Sequence, residues 1–306
     1  MEKFNLTSRL GWIPDWPDFR DKTTEDDDIS PRMARLGQNT TVKRMKAQLN
    51  PTGKSGKALP AAIDLSTWFS PAKDQGNLGS CTANAAASLM EYFENRAFGK
   101  YLEPSRLFLY KNARNLLHQT GDSGAFLRSI MGAMVLFGAP PEEYWPYNEA
   151  AYDSEPTPFC YAYAQNYQAV TYYRLDPPGT SSESLLTSIK QSLATSLPLM
   201  FGFTVYQSIQ QSISNKGIIP FPEKGEKVEG GHAVVAAGYD DRMKIRNQAS
   251  NAKETTGAIL IKNSWGTEWG ENGFGWIPYE YILKGLAIDW WSLLKNEWVD
   301  TGNFNS

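Results

Sequence analysis

Near residue 197 the hydrophobic pattern of this 306-residue chain changes period. Before that point apolar residues recur at helical spacing. Cys81–Arg96 carries Ala85, Leu89, Met90 and Phe93 among strong helix formers, with Gly79 and Ser80 standing where a helix begins. Pro104–Asn115, Ser123–Phe137 and Glu183–Thr195 read as further helices. After that point the apolar residues form short runs separated by glycines and charges: Leu199–Val205, His232–Ala237 and Ala258–Lys262. Such runs are strand-like. Helices first and strands afterwards predict an α+β fold with segregated layers, and no internal repeat competes with that reading.

The composition sets bounds on function. Apolar residues are 41% and charged residues 21% of the chain, as in a globular domain with an ample core. A net charge of −3 gives no reason to expect nucleic acid or an anionic membrane as partner. Two cysteines, Cys81 and Cys160, are too few for a disulfide framework. Two histidines, His118 and His232, argue against a histidine-rich metal site, and no metal or cofactor is expected. His118 and Cys160 have no motif around them and read as structural. No apolar run reaches the length of a membrane span, and the start Met1-Glu2-Lys3-Phe4-Asn5 lacks a signal-like stretch, so the expectation is a cytoplasmic monomer.

Residues 1–58 differ from the rest. An acidic run, Glu25-Asp26-Asp27-Asp28, precedes a basic stretch with Arg32, Arg35, Lys43, Arg44 and Lys46. Asn50–Lys57 reads as an exposed linker. A disordered tail is one reading. Against it, Trp12, Ile13 and Trp16 offer apolar anchors, and Pro14 and Pro17 hold the chain extended.

Acyl transfer by a thiol needs a thiolate, a base, a group fixing that base, and donors for the developing oxyanion. A helix N-terminus favours the thiolate, and Cys81 stands at one. Neutral histidine has a suitable pKa to take the proton. His232, far off in sequence and preceded by Gly230 and Gly231, begins a strand.

Around these residues the chain resembles the papain family of cysteine peptidases. Gln75-Gly76-Asn77-Leu78-Gly79-Ser80-Cys81 is similar to the family's nucleophile segment, and Gly231 to Tyr239 to its histidine strand. Asn263-Ser264-Trp265-Gly266-Thr267-Glu268-Trp269-Gly270 resembles the asparagine segment at almost every position, and Trp145-Pro146-Tyr147 and Leu59–Asp64 are weaker matches. The resemblance covers about residues 59–298 and implies two lobes, a helical one over 59–160 and a β-barrel-like one over 161–306, with the active cleft between them. It implies a cysteine endopeptidase acting on polypeptides. Cys81 would be the nucleophile and His232 its base. Asn263 would orient the histidine, Trp265 shield that contact, and Gln75 share the oxyanion hole with the Cys81 N–H. Trp269 reads as scaffold.

For substrate binding the resemblance implies Gly124 as the partner of the substrate backbone. Ala233 would line the pocket for the residue second from the scissile bond, with Ile288, Asp289 or Trp290 as its floor. That pocket should prefer apolar or aromatic side chains. Residues 1–58 would be a prosegment inhibiting the catalytic domain, 59–306, in a self-processing zymogen cut within or near residues 50–60. The run Glu25–Asp28 would dock on basic groups of that domain, and mild acid would release it. Departures are Thr82 after the nucleophile, Gly231 before the histidine, and a 31-residue interval from His232 to Asn263 whose excess falls in Asp240–Thr256, read as an extended hairpin or loop. A catalytically dead peptide-binding protein of the same fold is opposed by the complete set of Gln75, Cys81, His232 and Asn263, and another thiol enzyme, such as an amidase or a transglutaminase-like protein, by the tryptophan-rich asparagine segment.

Overall fold

A computed structural model describes residues 7–49, 58–168, 171–249 and 252–305, so the expected linker Asn50–Lys57 lies outside the described residues. In chain order the helices are α1 (Pro31–Arg35), α2 (Val42–Leu49), α3 (Cys81–Phe98), α4 (Arg106–Leu116), α5 (Leu127–Phe137), α6 (Pro158–Ala164), α7 (Ser182–Ala194), α8 (Gln211–Ser214), α9 (Glu280–Leu283) and α10 (Asn296–Val299). The strands are β1 (Ala62–Asp64), β2 (Thr171–Arg174), β3 (Leu199–Tyr206), β4 (Val228–Arg246), β5 (Glu254–Lys262), β6 (Phe274–Pro278) and β7 (Ala287–Leu294). Helices predominate before residue 195 and strands after it, as the change of period requires.

Local chemistry fixes the element ends. Ser105 and Ser181 accept from the backbone N–H three residues on and cap α4 and α7. Gly99, at φ +68°, closes α3 in the left-handed conformation that glycine adopts without strain. Residues 123–126, expected to be helical, are not: Gly124 is left-handed at φ +74°, and Ala125 is paired with another segment of the chain.

All strand pairs are antiparallel, in the order β2-β7-β3-β4-β5-β6, with β1 added against β4. The long β4 and β5 meet beyond Asp240 through Lys244↔Thr256 and Arg246↔Glu254, which is the expected extended hairpin. The sheet is open rather than barrel-like, since closure requires its two edge strands to pair, and among the described residues β2 and β6 do not. Other segments cover those edges. Thr23 bridges Arg174 on β2, and Ile218 bridges Trp276 on β6.

Helix α3 is buried on nearly every side and packs against β4. The main apolar cluster runs from α3 through α5 into the sheet without interruption. It also takes in Trp12 and the α2 residues Val42, Met45 and Leu49. The N-terminal residues described are thus a packed strap and not a tail. Arg32 donates to the carbonyls of Val135 and Leu136, and Gln38 exchanges hydrogen bonds with Leu294 and Asn296. Among the described residues the acidic run makes no ion pair with the later domain. Glu25 pairs with Lys43, Asp27 with Arg44 and Asp28 with Lys22, all within the strap. Asp15 and Asp21 dock instead, both on Arg128 of α5.

Candidate active site

Cys81 is the first residue of α3, with the helix's open N–H groups around it. His232 lies on β4 opposite Phe203 of β3, and the next residue, Ala233, turns its backbone amide toward the Cys81 thiol. The packing of α3 on β4 therefore brings the thiol beside the histidine strand. His232 Nε2 meets Asn263 Oδ1 at 2.8 Å, and Nδ1 has no hydrogen-bond partner among the described residues. Trp265 lies over the imidazole, ring centroids 4.8 Å apart. Trp269 packs edge-on to Trp265 and donates to Ser212 Oγ, a scaffold position.

Gln75 is fully buried and held from three sides. Its Oε1 accepts from Ser264 Oγ at 2.6 Å, while its Nε2 donates to the carbonyls of Leu78 (2.7 Å) and Arg9 (3.0 Å). Ser264 also donates its backbone N–H to Asn263 Oδ1 at 2.8 Å, so one residue steadies both amides. Ser264 belongs to the asparagine segment, but nothing in the local pattern gives it this role. Nor does the sequence around Tyr110 and Asp122 carry a signal for theirs. Tyr110 donates to Asp122, which accepts from Gly79 N–H at 3.0 Å, and the Tyr110 hydroxyl accepts from Gly124 N–H at 3.0 Å. These two residues fix the backbone of Gly79 and Gly124, both of which flank the strap.

The cleft is occupied by the chain's own N-terminal strap. Arg9 ion-pairs with Asp74 at 2.7 Å, and its carbonyl sits on Gln75. Gly11 lies so close to Gly79 that a Cβ would come within 1.8 Å of the Gly79 oxygen. Trp12 N–H donates to Gly231 O (3.2 Å), Ile13 N–H to Ala125 O (3.2 Å), and Ala125 N–H to Gly11 O (2.9 Å). The Trp12↔Ala125 bridge is parallel. Gly124, at φ +74°, stands against the Gly11 carbonyl. Trp12 is 5% exposed, whereas Trp16 is 88% exposed, so only one of the two expected tryptophan anchors is seated.

Of the pocket residues expected from sequence, Asp289 meets the seated side chain, with its Oδ2 accepting from Trp12 Nε1 at 3.1 Å. Ala233 is buried in register with Gly202. Ile288 is only partly buried at the core's edge. Trp290 is turned into the core, where it stacks on Phe201 with centroids 3.9 Å apart. His118 sits in a left-handed turn after α4, and Cys160 is buried in α6 beside Thr157.

Burial sets the electrostatics of this closed state. It pushes the Cys81 thiol up to about 11, against the pull of the amides of Ala233, Gly11 and Thr82 and its own. It takes His232 down to about 4, although Asn263 and the Arg9 carbonyl favour the charged ring. Asp289 rises to about 6 for the same reason, opposed by Arg174 and two indole N–H groups.

The papain family cysteine protease model matches residues 59–284. An uncharacterized peptidase C1-like protein of Acanthamoeba polyphaga mimivirus is 31% identical over 296 residues, covering 95% of this chain and 88% of the relative. Xylellain, a cysteine protease from Xylella fastidiosa, superposes with a TM-score of 0.70 at 32% identity, covering 94% of this chain and 96% of that one. Procathepsin L 3 of the Tenebrio molitor larval midgut shares the fold, with a TM-score of 0.56 at 18% identity over 88% of this chain and 83% of that one. Among the described residues no helix is long and apolar enough to cross a membrane.

Proposed function

The chain belongs to the papain family of cysteine proteases, which are peptide hydrolases, and on that premise we propose that it cleaves polypeptides through Cys81, His232 and Asn263 and is made as a zymogen closed by residues 9–13. In the open enzyme Cys81 gives its proton to His232 Nδ1 and its sulfur attacks the substrate carbonyl. The oxyanion is received by Gln75 Nε2 and the Cys81 N–H. The imidazolium then protonates the leaving amine, and water hydrolyses the thioester, handing its proton to the same histidine. The observation that carries this reading is the 2.8 Å contact of His232 Nε2 with Asn263, which leaves Nδ1 for the thiol, beside a Gln75 amide already loaded with a carbonyl, that of Arg9.

The strap supports the closed state by its polarity. A substrate places its scissile carbonyl on Gln75 and the preceding residue in the pocket beyond Gly124. In the strap the pocket residue, Trp12, follows Arg9 instead of preceding it. The Leu10 nitrogen that would have to leave therefore runs toward the pocket, away from where His232 delivers its proton. The strap binds as a ligand and is not positioned for cleavage. With the thiol raised and the imidazole lowered by burial, the pair is also held neutral.

The strap divides into two parts. Residues 9–13 fill the cleft, while Val42, Met45 and Leu49 belong to the core. A cut at residues 50–60 would strip those three side chains along with the inhibitor. Phe19, 95% exposed in a turn beside Arg20, is the better place to open the cleft. The test follows wild type and Cys81→Ala by gel, N-terminal sequencing and turnover of a fluorogenic peptide. Wild type should gain activity with a new N-terminus near Arg20, and the variant should stay whole and inactive. Turnover by Cys81→Ala would refute the nucleophile. A wild type fully active while uncut would refute the zymogen.

A further inference from the structure

Resting on the peptidase reading, we propose that the pocket beyond Gly124 is an indole pocket: the enzyme selects tryptophan as the residue second from the cleaved bond, through a hydrogen bond from its Nε1–H to Asp289. Two independent features build the site. The first is shape. Trp12 lies flat on the sheet over two glycines of neighbouring strands. A Cβ at Gly202 would fall 1.8 Å from Trp12 Cε2, and one at Gly231 would fall 2.7 Å from Cε3. Any side chain at either position would fill the slot, so both strands are bare where the ring lies.

The second feature is a buried acceptor that already has a counter-charge. Asp289 is completely buried, in the left-handed conformation at φ +65°. Its Oδ1 accepts from Trp291 Nε1 at 2.7 Å and ion-pairs with Arg174 at 3.2 Å. Its backbone N–H donates to Asp176, which also holds Arg174 at 2.9 Å. That leaves Oδ2 aimed into the slot, where Trp12 Nε1 meets it. A guanidinium or ammonium entering the slot would have to share Asp289 with the resident Arg174, inside a space shaped for a flat bicyclic ring. A phenylalanine would leave Oδ2 buried without a donor, and such an orphan is costly. An indole supplies a flat ring and one neutral N–H together, so the broad apolar preference expected from sequence narrows to a specific one.

The test uses the full chain carrying Trp12→Ala, which empties the slot. Fluorogenic peptides differ only at the residue second from the cleaved bond: Trp, its benzothienyl isostere with sulfur in place of N–H, Phe, Leu and Arg. Loss of a hydrogen bond to a charged acceptor predicts kcat/KM at least about tenfold lower for the isostere than for Trp, and lower still for Arg. Equal rates for Trp and the isostere, or a preference for Arg, would overturn the proposal. If no peptide and no protein substrate is cleaved, the peptidase reading fails, and the slot is judged from the strap itself. In a full-length Cys81→Ala chain, replacing Trp12 with Phe or Arg should speed hydrogen exchange of the Ile13 amide, Arg the more. Slower exchange with Arg would show a cation pocket and end the proposal.

Discussion

Gly11→Ala should open the enzyme without touching any group that takes part in the reaction. Gly11 has an ordinary φ, so alanine there is unstrained in itself, but its Cβ would sit 1.8 Å from Gly79 O and 2.5 Å from Gly79 Cα. Both are backbone atoms, and Gly79 is tied by its N–H to Asp122, so the strap must lift. Lifting stretches the neighbouring bonds, Trp12 N–H to Gly231 O and Ala125 N–H to Gly11 O, each worth about 1 kcal/mol net. Forcing a methyl into a filled site costs about 1–3 kcal/mol. The docked state should therefore lose about 1–3 kcal/mol, which multiplies the open population about 5- to 150-fold. The assay is the rate at which iodoacetamide alkylates Cys81 in the uncut chain, read by peptide mapping so that Cys160 is scored separately. Gly132→Ala is the control. Its new Cβ meets nothing closer than 3.8 Å, in the middle of a helix, and it should leave the rate unchanged. A folded Gly11→Ala protein alkylated no faster than wild type would refute the claim that residues 9–13 close the cleft.

Gln75→Ala should lower kcat of the opened enzyme about 10²- to 10³-fold with KM little changed, since it would remove the proposed oxyanion donor; Ser264→Ala, which only frees the Gln75 amide to turn, should cost less. Met45→Ala should destabilise the intact chain by about 2–5 kcal/mol in urea unfolding, because Met45 is fully buried, and a value near zero would return α2 to the status of a loose tail. Acid should open the strap through His232. The docked form protonates the ring near 4 and an uncovered ring near its ordinary 6.5, so the open form gains a proton, and population, as pH falls through that interval. Opening is measured by hydrogen-exchange protection at Trp12 and Ile13 in the Cys81→Ala background, and protection that does not fall as pH drops through that interval would refute the assignment.

What was legible in the sequence was what the chain encodes locally. The start of α3 at Cys81 follows from the helix formers after it, and β3 to β5 from short apolar runs with glycine between them. The excess between His232 and Asn263 could be read as a hairpin because its polar residues interrupt two strand patterns. The strap was legible only in part, because tryptophan and proline say that a segment is apolar and extended but not which ring is seated. That choice is made by register. Trp12 fits because Gly202 and Gly231, distant in sequence, both lack a side chain where the ring lies. In the sequence Gly231 is only a departure from the family's pattern before the histidine. In the folded chain it is room, since a side chain there would strike the Trp12 carbonyl as well as its ring. The acidic run misled for a related reason. Charge density marks a solvated stretch, and its partners Lys22, Lys43 and Arg44 are near in sequence, so it closes on itself. The carboxylates that hold the strap to the domain, Asp15 and Asp21, are single residues in an aromatic stretch, and Arg128 reaches both only because α5 passes beneath them.

In the proposed mechanism the strap and the substrate compete for the same groups, which would link inhibition to specificity. Gln75 Nε2, the Gly124–Ala125 backbone and Asp289 Oδ2 are each engaged by residues 9–13. A substitution that tightens one of these contacts for a substrate tightens it for the strap as well, unless chain direction enters. Side-chain slots are indifferent to direction, because an indole can reach Asp289 from a chain running either way. The proton delivery proposed for His232 is not indifferent, because it needs the leaving nitrogen on its own side. A reversed ligand can thus use the full recognition of the pocket while avoiding the chemistry, and the pocket's preference can be read from the residue the protein places there itself.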